Sequence, residues 1–322
     1  MSRATAILLL ALVAGLAVLS TALPWAPIAE VAAQDSDLAR LLLIELRLPR
    51  AALALTYGAM LGASGAAIQA LFANPLASPD LTGTTSGAAL GAVVTAYLLG
   101  FSAPIALSLG AVGGALGALG LLLLLAGPRA ETATLLLAGL AISALAGALT
   151  TLALALAPSP FAFYDAYDWL MGSLVDRSLA QAGFAAIPAI VAIALLLRLA
   201  RPLDSLALGE DVAESLGHRI GTVRLQIVCL TAIGVGACVA ICGAIGFIGL
   251  VAPIFARRIT RAHPGRAILP AAMIGAALLL AADLAVRFAP LGRTLPIGVA
   301  TALLGAPFFL WLVTHMRWRL RA

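Results

Sequence analysis

The longest polar interruption in the second half of the chain, residues 202–224, contains acidic residues that could do chemistry. Asp204, Glu210, Asp211 and Glu214 lie in it, four of the 14 acidic residues in the chain. The apolar residues between them recur every two to four positions, which is typical of short amphipathic helices lying against another surface. The same pattern fits a solvated loop. Features elsewhere in the chain are needed to distinguish a docking surface from a solvated loop.

Outside this stretch, one acidic residue, Asp283, lies alone inside an apolar run. Acidic residues within membrane-spanning segments are functional candidates by default. A proton relay would need further acids on neighbouring helices, and none is evident in the sequence. Arg287 follows four residues later, the spacing of a helical ion pair. We therefore predict a structural pair with Arg287 or with another helix.

Three cysteines, Cys229, Cys238 and Cys242, share one apolar segment. A metal or redox site would require a surrounding Cys/His cluster, which the sequence does not provide. We interpret the three as buried thiols that pack as small hydrophobic side chains. No cofactor is therefore expected to bind to this chain.

The composition identifies the environment in which these residues act. Hydrophobic residues make up 63% of the chain and charged residues 10%, whereas a soluble domain carries roughly 25% charged residues. The fold class is therefore an all-α integral membrane protein, a single transmembrane domain over residues 1–322 with about ten helical spans. The net charge of +5 reports membrane topology rather than a nucleic-acid partner.

All 19 basic residues are arginines, since the chain contains no lysine. An ATP-binding P-loop places a lysine on the nucleotide phosphates. If ATP drives this protein, we expect ATP and its magnesium ion to be bound by a separate partner chain.

Hydropathy predicts the positions of the spans. A polar segment at about 24–46 follows the first span, two prolines break the chain at 75 and 79, and an aromatic interfacial helix is expected at 161–174. The predicted spans cover residues 4–23, 47–72, 81–99, 104–126, 133–157, 180–199, 223–242, 246–258, 267–289 and 296–313.

The arginines orient these spans. Ten spans put both termini on one side, together with 13 of the 19 arginines, against six on the other side. Because basic residues are enriched in cytoplasmic loops, both termini and the acidic stretch are expected to be cytoplasmic.

Seven motifs, in order along nearly the whole chain, are similar to those of one family. They are RLPR at 47–50, QALFANPLA at 69–77, LLLAG at 135–139, WLMGSL at 169–174, ALGEDVAESLG at 207–217, GFIGLVAP at 246–253 and LPIGVATALLGAPFF at 295–309. Together they resemble the FecCD-type permeases of ABC importers, which have the BtuC-like fold and carry iron–siderophore complexes, haem or vitamin B12 across the bacterial inner membrane.

The resemblance implies a homodimer with the pathway at the dimer interface. It also implies two ATP-binding cassette subunits on the cytoplasmic side and a periplasmic or lipoprotein substrate-binding protein on the outer side. Membrane lipid and the metal-chelate substrate complete the expected partners, and the chain itself is not expected to be an enzyme.

Site residues follow from the matched motifs. Residues about 203–219 match the coupling helices that rest on the ATPase, and the solvated loop is the alternative. The residues chosen for this role are Leu208, Gly209, Glu210, Leu216 and Gly217.

Arg47, Arg50 and Arg287 match outer arginines that pair with acids on the binding protein, a contact suited to fast, salt-sensitive docking. Snorkelling to lipid headgroups is the alternative for these three.

Four further residues are assigned to the pathway. Asn74 and Leu76 match the inner mouth of the pathway, and Thr132 matches its partner loop. Helix capping is the alternative for Asn74 and Thr132. Gln69 is expected to line the path or to bond across helices.

These assignments predict the permease subunit of an ATP-driven importer for an iron chelate, a siderophore complex or haem. A vitamin B12 importer is the alternative within the family. An ion-coupled secondary transporter would need intramembrane acids or broken-helix cation sites, which Asp283 alone supports poorly. A membrane scaffold without transport would leave the acidic cytoplasmic stretch unexplained.

Overall fold

The computed structural model of the chain describes residues 2–127, 132–157, 159–289 and 295–319. Within these ranges the chain is built from α-helices joined by short turns. The first eight are α1 Arg3–Ala22, α2 Ala26–Gln34, α3 Ser36–Leu42, α4 Leu48–Leu71, α5 Thr84–Val93, α6 Pro104–Ala126, α7 Thr132–Ala155 and α8 Pro160–Leu170. The others are α9 Leu179–Arg198, α10 Ala200–Leu206, α11 Glu210–Ser215, α12 Ile220–Cys242, α13 Ile248–Ile259, α14 Ile268–Phe288 and α15 Ile297–Arg319.

The helices confirm an all-helical membrane protein. Among the described residues, 7 helical segments are long and apolar enough to cross a bilayer. Two shorter apolar helices, Thr84–Leu98 and Ile297–Trp311, and the 12-residue α13 fall on the remaining predicted spans. Hydropathy therefore located a helix at each predicted span, and most boundaries agree within a few residues.

The segment at 24–46 differs from the expectation of a polar connection, because it is helical. It contains α2 and α3, and α3 continues through a π-helical turn, Leu43–Arg47, into α4. Pro49 stands in the first turn of α4, where it has no N–H to donate and its ring crowds the carbonyl four residues earlier. The wider π-turn directly before it relieves that conflict. The second span thus starts within a helical run of 36 residues, Ser36–Leu71.

The centre of the bundle is α4, which is buried along almost its whole length. Its closest neighbour is α14, and glycines allow the two backbones to touch. A Cβ on Gly62 would collide with the carbonyl of Ala271, and one on Gly58 would collide with the carbonyl of Gly275. Small residues at such contacts let helices pack closely in lipid, where no hydrophobic force drives them together.

In contrast, α1 lies at the edge of the bundle. Ser20 is its one buried residue, and most of its large apolar side chains are exposed. Burial therefore contributes little to holding α1 on the bundle, and polar contacts at its end become important.

We predict that Gly62→Ala lowers the stability of the folded protein by about 1–3 kcal/mol, because the added methyl group overpacks the α4–α14 contact. Thermal unfolding in detergent measures the change. Gly113→Ala is the matched control, since a Cβ at Gly113 meets nothing within 4 Å. Equal melting temperatures for the two variants would contradict the proposed backbone contact.

Candidate coupling segment and outer arginine cluster

The polar stretch at 203–219 forms two short helices, as predicted. Gly209 joins α10 to α11 with a φ of 110°, a conformation that glycine adopts most easily. Leu203 and Ala213 are buried beneath the segment. Leu208 and Leu216 remain 68% and 60% exposed. The segment thus presents leucines on a surface that also carries acidic residues.

Three contacts fix this coupling segment, α10 with α11, to long helices. The Asp204 Oδ1 accepts a hydrogen bond of 2.9 Å from the Gly265 N–H, just before α14 begins. A Cβ on Gly265 would collide with the Ala200 carbonyl, so the two backbones touch there. On the other side, the Glu210 carboxylate and the Arg224 guanidinium on α12 are 2.7 Å apart. The segment is therefore bonded to α12 and to the turn that precedes α14.

The second polar cluster lies at the far end of α14. Asp283 is 1% exposed and accepts from two arginines. The Arg50 Nη2 lies 2.8 Å from its Oδ1, and the Arg287 Nη2 contacts its Oδ2. The predicted pair with Arg287 is present, and Arg50 on α4 adds a second cation. The shared carboxylate ties α4 to α14.

Arg287, together with Arg47, also caps the end of α1. Helix C-termini leave carbonyl groups without an intrahelical partner, and cations there are favourable. Arg47 donates to the carbonyls of Thr21, Ala22 and Pro24. Arg287 donates to the carbonyls of Ser20 and Leu23 and to the Ser20 hydroxyl. Five consecutive carbonyls, residues 20–24, thus accept from two guanidinium groups.

The arginines predicted to dock a binding protein are therefore engaged within the protomer. The side chains of Arg50 and Arg287 are 18% and 7% exposed. The recorded hydrogen bonds of all three guanidinium groups go to protein atoms. Docking through Arg47, Arg50 and Arg287 stays a prediction.

Two of the predicted gate residues, Asn74 and Leu76, lie in a compact turn after α4. The Asn74 Oδ1 accepts from the Leu76 N–H at 2.9 Å, which is a turn-stabilising bond. Gln69 bonds across helices, with its Nε2 3.3 Å from the Leu250 carbonyl oxygen. Its buried Oε1 has no hydrogen-bond partner among the described residues. Thr132 begins α7, and its side chain lies outside the described residues. The gate role of these residues stays a prediction.

Asp80 is a functional candidate that the sequence reasoning missed. Its Oδ1 accepts from the Thr85 hydroxyl at 2.7 Å, and its Oδ2 accepts from the Phe247 N–H at 3.1 Å. Phe247 has a φ of 66°, which is strained for a residue other than glycine. Burial raises the pKa of Asp80, and these two hydrogen bonds oppose that rise. An acid directly after Pro79 in an apolar region was the available signal.

The three cysteines, the remaining candidate residues, have no role beyond packing among the described residues. Cys238 and Cys242 are buried and Cys229 is partly buried, and all three are free thiols. Within the described ranges, no group of three His, Cys, Asp or Glu side chains is arranged to hold a metal ion.

A bundle of apolar helices with a polar segment attached at one end is the architecture of a multi-pass membrane protein. The chain belongs to the FecCD transport family, whose model matches residues 7–315.

Curated relatives are similar in sequence to this protein over most of its length. The vitamin B12 import system permease protein BtuC of Klebsiella pneumoniae is 41% identical over 285 residues, covering 87% of this chain and 84% of that protein. BtuC of Vibrio cholerae is 39% identical over 291 residues, covering 87% and 85%. The chain is therefore a permease of the ABC importer class in the bacterial inner membrane.

Solved structures support the same fold. An inward-facing metal-chelate type ABC transporter matches with a TM-score of 0.83 and 30% identity, covering 98% of this chain and 100% of that one. PsaBC from Streptococcus pneumoniae, in complex with a Fab, matches with a TM-score of 0.59 at 18% identity, covering 88% and 94%, which shows fold likeness alone.

We predict that Asp80→Ala destabilises the protein by about 1–3 kcal/mol, because it leaves buried donors without an acceptor. Asp80→Asn keeps an acceptor oxygen and should lose less than half as much. Melting temperatures of the two variants in detergent provide the test. A loss for Asp80→Asn as large as that for Asp80→Ala would contradict the hydrogen-bonding role.

Proposed function

We propose that this chain is the permease subunit of an ATP-driven importer, and that two copies form the pathway between them. Separate ATPase subunits dock on the coupling segment, and a cargo-binding protein docks on the outer face. The chain itself is one transmembrane domain that hydrolyses nothing. The observation that carries this proposal is the coupling segment, which exposes leucines at one end of the bundle and is bonded to two long helices.

ATP has to act from outside the chain. With no lysine available for a P-loop, nucleotide chemistry falls to a partner. A closing ATPase dimer would push Leu208 and Leu216, and the bonds to Gly265 and Arg224 would carry that push into α14 and α12. Rigid movement of packed helices about an interface is an established form of domain motion.

The orientation of the coupling segment follows from charge and from the length of α14. The segment is bonded near the start of α14, whereas Asp283 and Arg287 lie close to its end. The 21 residues of α14 separate the two sites by about 30 Å at 1.5 Å per residue, which is the thickness of a bilayer core. Four arginines lie beside the segment, Arg257 and Arg258 in the last turn of α13 and Arg261 and Arg266 in the connection to α14. They favour the cytoplasm for this end and for both termini.

The cargo we propose is a large metal chelate. Bare cations require oxygen or charged ligands, and the spans carry few charges. The two BtuC relatives, 41% and 39% identical, favour a corrinoid as the first candidate. The likeness to a metal-chelate type transporter keeps the iron chelate predicted from the sequence as the second.

Ion-coupled transport is the competing function, and it would use buried carboxylates as cation ligands. Asp283 is neutralised by Arg50 and Arg287. Asp80 accepts from a hydroxyl and a backbone amide. Both carboxylates are therefore occupied, which disfavours a cation site on either.

We predict that Leu208→Ser weakens association of the ATPase subunits by about tenfold, because burying a leucine side chain stabilises an interface by about 1.5 kcal/mol or more. Co-purification at graded salt concentrations measures the loss. Leu41→Ser, at a leucine 55% exposed near the other end, is the matched control and should leave association unchanged. Normal co-purification of Leu208→Ser would count against docking at this segment.

We also predict that cobalamin, presented by the cargo-binding protein, stimulates ATP hydrolysis by the assembled complex several-fold more than a ferric siderophore or haem. Steady-state phosphate release with each cargo in turn measures the preference. Stimulation by a ferric siderophore or haem, but not by cobalamin, would identify an iron chelate as the cargo instead.

A further inference from the structure

A cavity of about 250 Å³ lies between α13, α14 and α15. Its walls include Phe247 and Phe255 at α13, Leu278 and Ala282 on α14, and Leu304 and Phe308 on α15. Thr301 also lines the cavity, but its hydroxyl donates to the Gly298 carbonyl at 3.0 Å. Water entering the cavity would therefore find few hydrogen-bond partners, and cavities of this kind stay dry.

The cavity is open at the surface of the bundle. Leu304 at its rim is 67% exposed and Phe255 is 38% exposed. Leu278 is the eleventh of the 21 residues of α14, so the cavity lies near the middle of the bilayer core. An unfilled apolar wall forfeits dispersion contacts. Lipid chains, which are as apolar as leucine, are the molecules that surround the bundle at this depth.

One face of α13 extends the cavity wall toward the end of the bundle that carries the coupling segment. Val251, Phe255 and Arg258 follow one another at spacings of four and three residues, which places them on one helix face. From Phe247 to Arg258 the chain rises about 16 Å at 1.5 Å per residue, about half of the hydrocarbon core of a bilayer. This face thus has the length of one leaflet.

The mouth of the cavity is positively charged. Arg258 is exposed, and none of the carboxylates in the described ranges forms an ion pair with it. The sequence contains no Asp or Glu from residue 215 to residue 282. Arginines beside a membrane attract anionic lipids, and a guanidinium binds phosphate oxygens through paired hydrogen bonds.

The same charge disfavours a second copy of the chain as the occupant. A two-fold contact places the same patch of both copies face to face. Arg258 of each copy would then be brought toward the same arginine of the other, with no nearby acid in this part of the sequence to compensate.

We propose that the cavity holds one acyl chain of an anionic phospholipid, whose phosphate binds Arg258 at the mouth. The inference goes beyond the proposed function, which requires no bound lipid. α15 meets α13 at the ring pair Phe255–Phe308, with centroids 5.8 Å apart, and has few other contacts with that helix. The acyl chain completes the packing of α15 against α13 and α14.

Native mass spectrometry of the full-length chain tests this lipid site. Dioleoylphosphatidylglycerol is the probe, and dioleoylphosphatidylcholine, with the same acyl chains and no net charge, is its control. The anionic lipid should bind about fivefold more tightly, the effect of one arginine beside an anionic head group. Arg258→Gln should remove the preference, whereas Arg266→Gln, at an exposed arginine before α14, should keep it. Glycerol 3-phosphate, which has the phosphate and no acyl chain, should not bind.

A second variant tests the cavity without touching any arginine. Leu278→Trp fills the space between the helices and should weaken binding of both lipids at least about fivefold, because the acyl chain loses its buried area. Leu269→Trp is the matched control, since Leu269 lies on the same helix, is 45% exposed and is not part of the cavity wall. Melting temperatures report whether the variants fold, and Ala282→Leu gives the same readout with a smaller side chain.

Three results would each overturn the proposal. They are equal binding of the two lipids by the unchanged chain, undiminished binding by the cavity-filling variants, and binding of glycerol 3-phosphate as tight as that of the lipid. A dimer that excludes phosphatidylglycerol would also overturn it and would assign the cavity to a second copy. ATP-driven uptake tests the proposed function separately from all of these results.

Discussion

The close approach of α4 and α14 is the constraint on which the other contacts depend. Glycines on both helices bring backbone against backbone, and lipid supplies no hydrophobic force to close a gap between them. At this spacing Arg50 on α4 reaches Asp283 on α14. A bulkier contact would separate Arg50 from Asp283 and leave the carboxylate with Arg287 alone.

This constraint makes α14 a connection between the two ends of the molecule. Its beginning is bonded to the coupling segment through Gly265, and its end is held on α4 and α1 by the arginine cluster. Because packed helices shift between discrete arrangements rather than deforming continuously, the proposed function has α14 carry a push from one end to the other. Transport in this account depends on that rigidity and on an energy source outside the chain.

The sequence predicted the spans well because length and composition decide which segments cross a membrane. It also predicted the two short helices of the coupling segment, and the Asp283–Arg287 pair from a spacing of four residues. It could not predict that Arg50 shares Asp283, since 233 residues separate them. The partners of Arg47 are backbone carbonyls, which have no side-chain signature. The helices at 24–46 were missed because their polar residues suggested a connecting segment.

Uptake by proteoliposomes tests the central claim most directly, which is that the chain is a passive gate driven by a separate ATPase. Vesicles containing the permease, its ATPase subunits and the cargo-binding protein should accumulate labelled cobalamin or ferric chelate only while ATP is hydrolysed. Vesicles containing the permease alone should accumulate none, with or without a proton or sodium gradient. Accumulation by the permease alone under such a gradient would contradict the account.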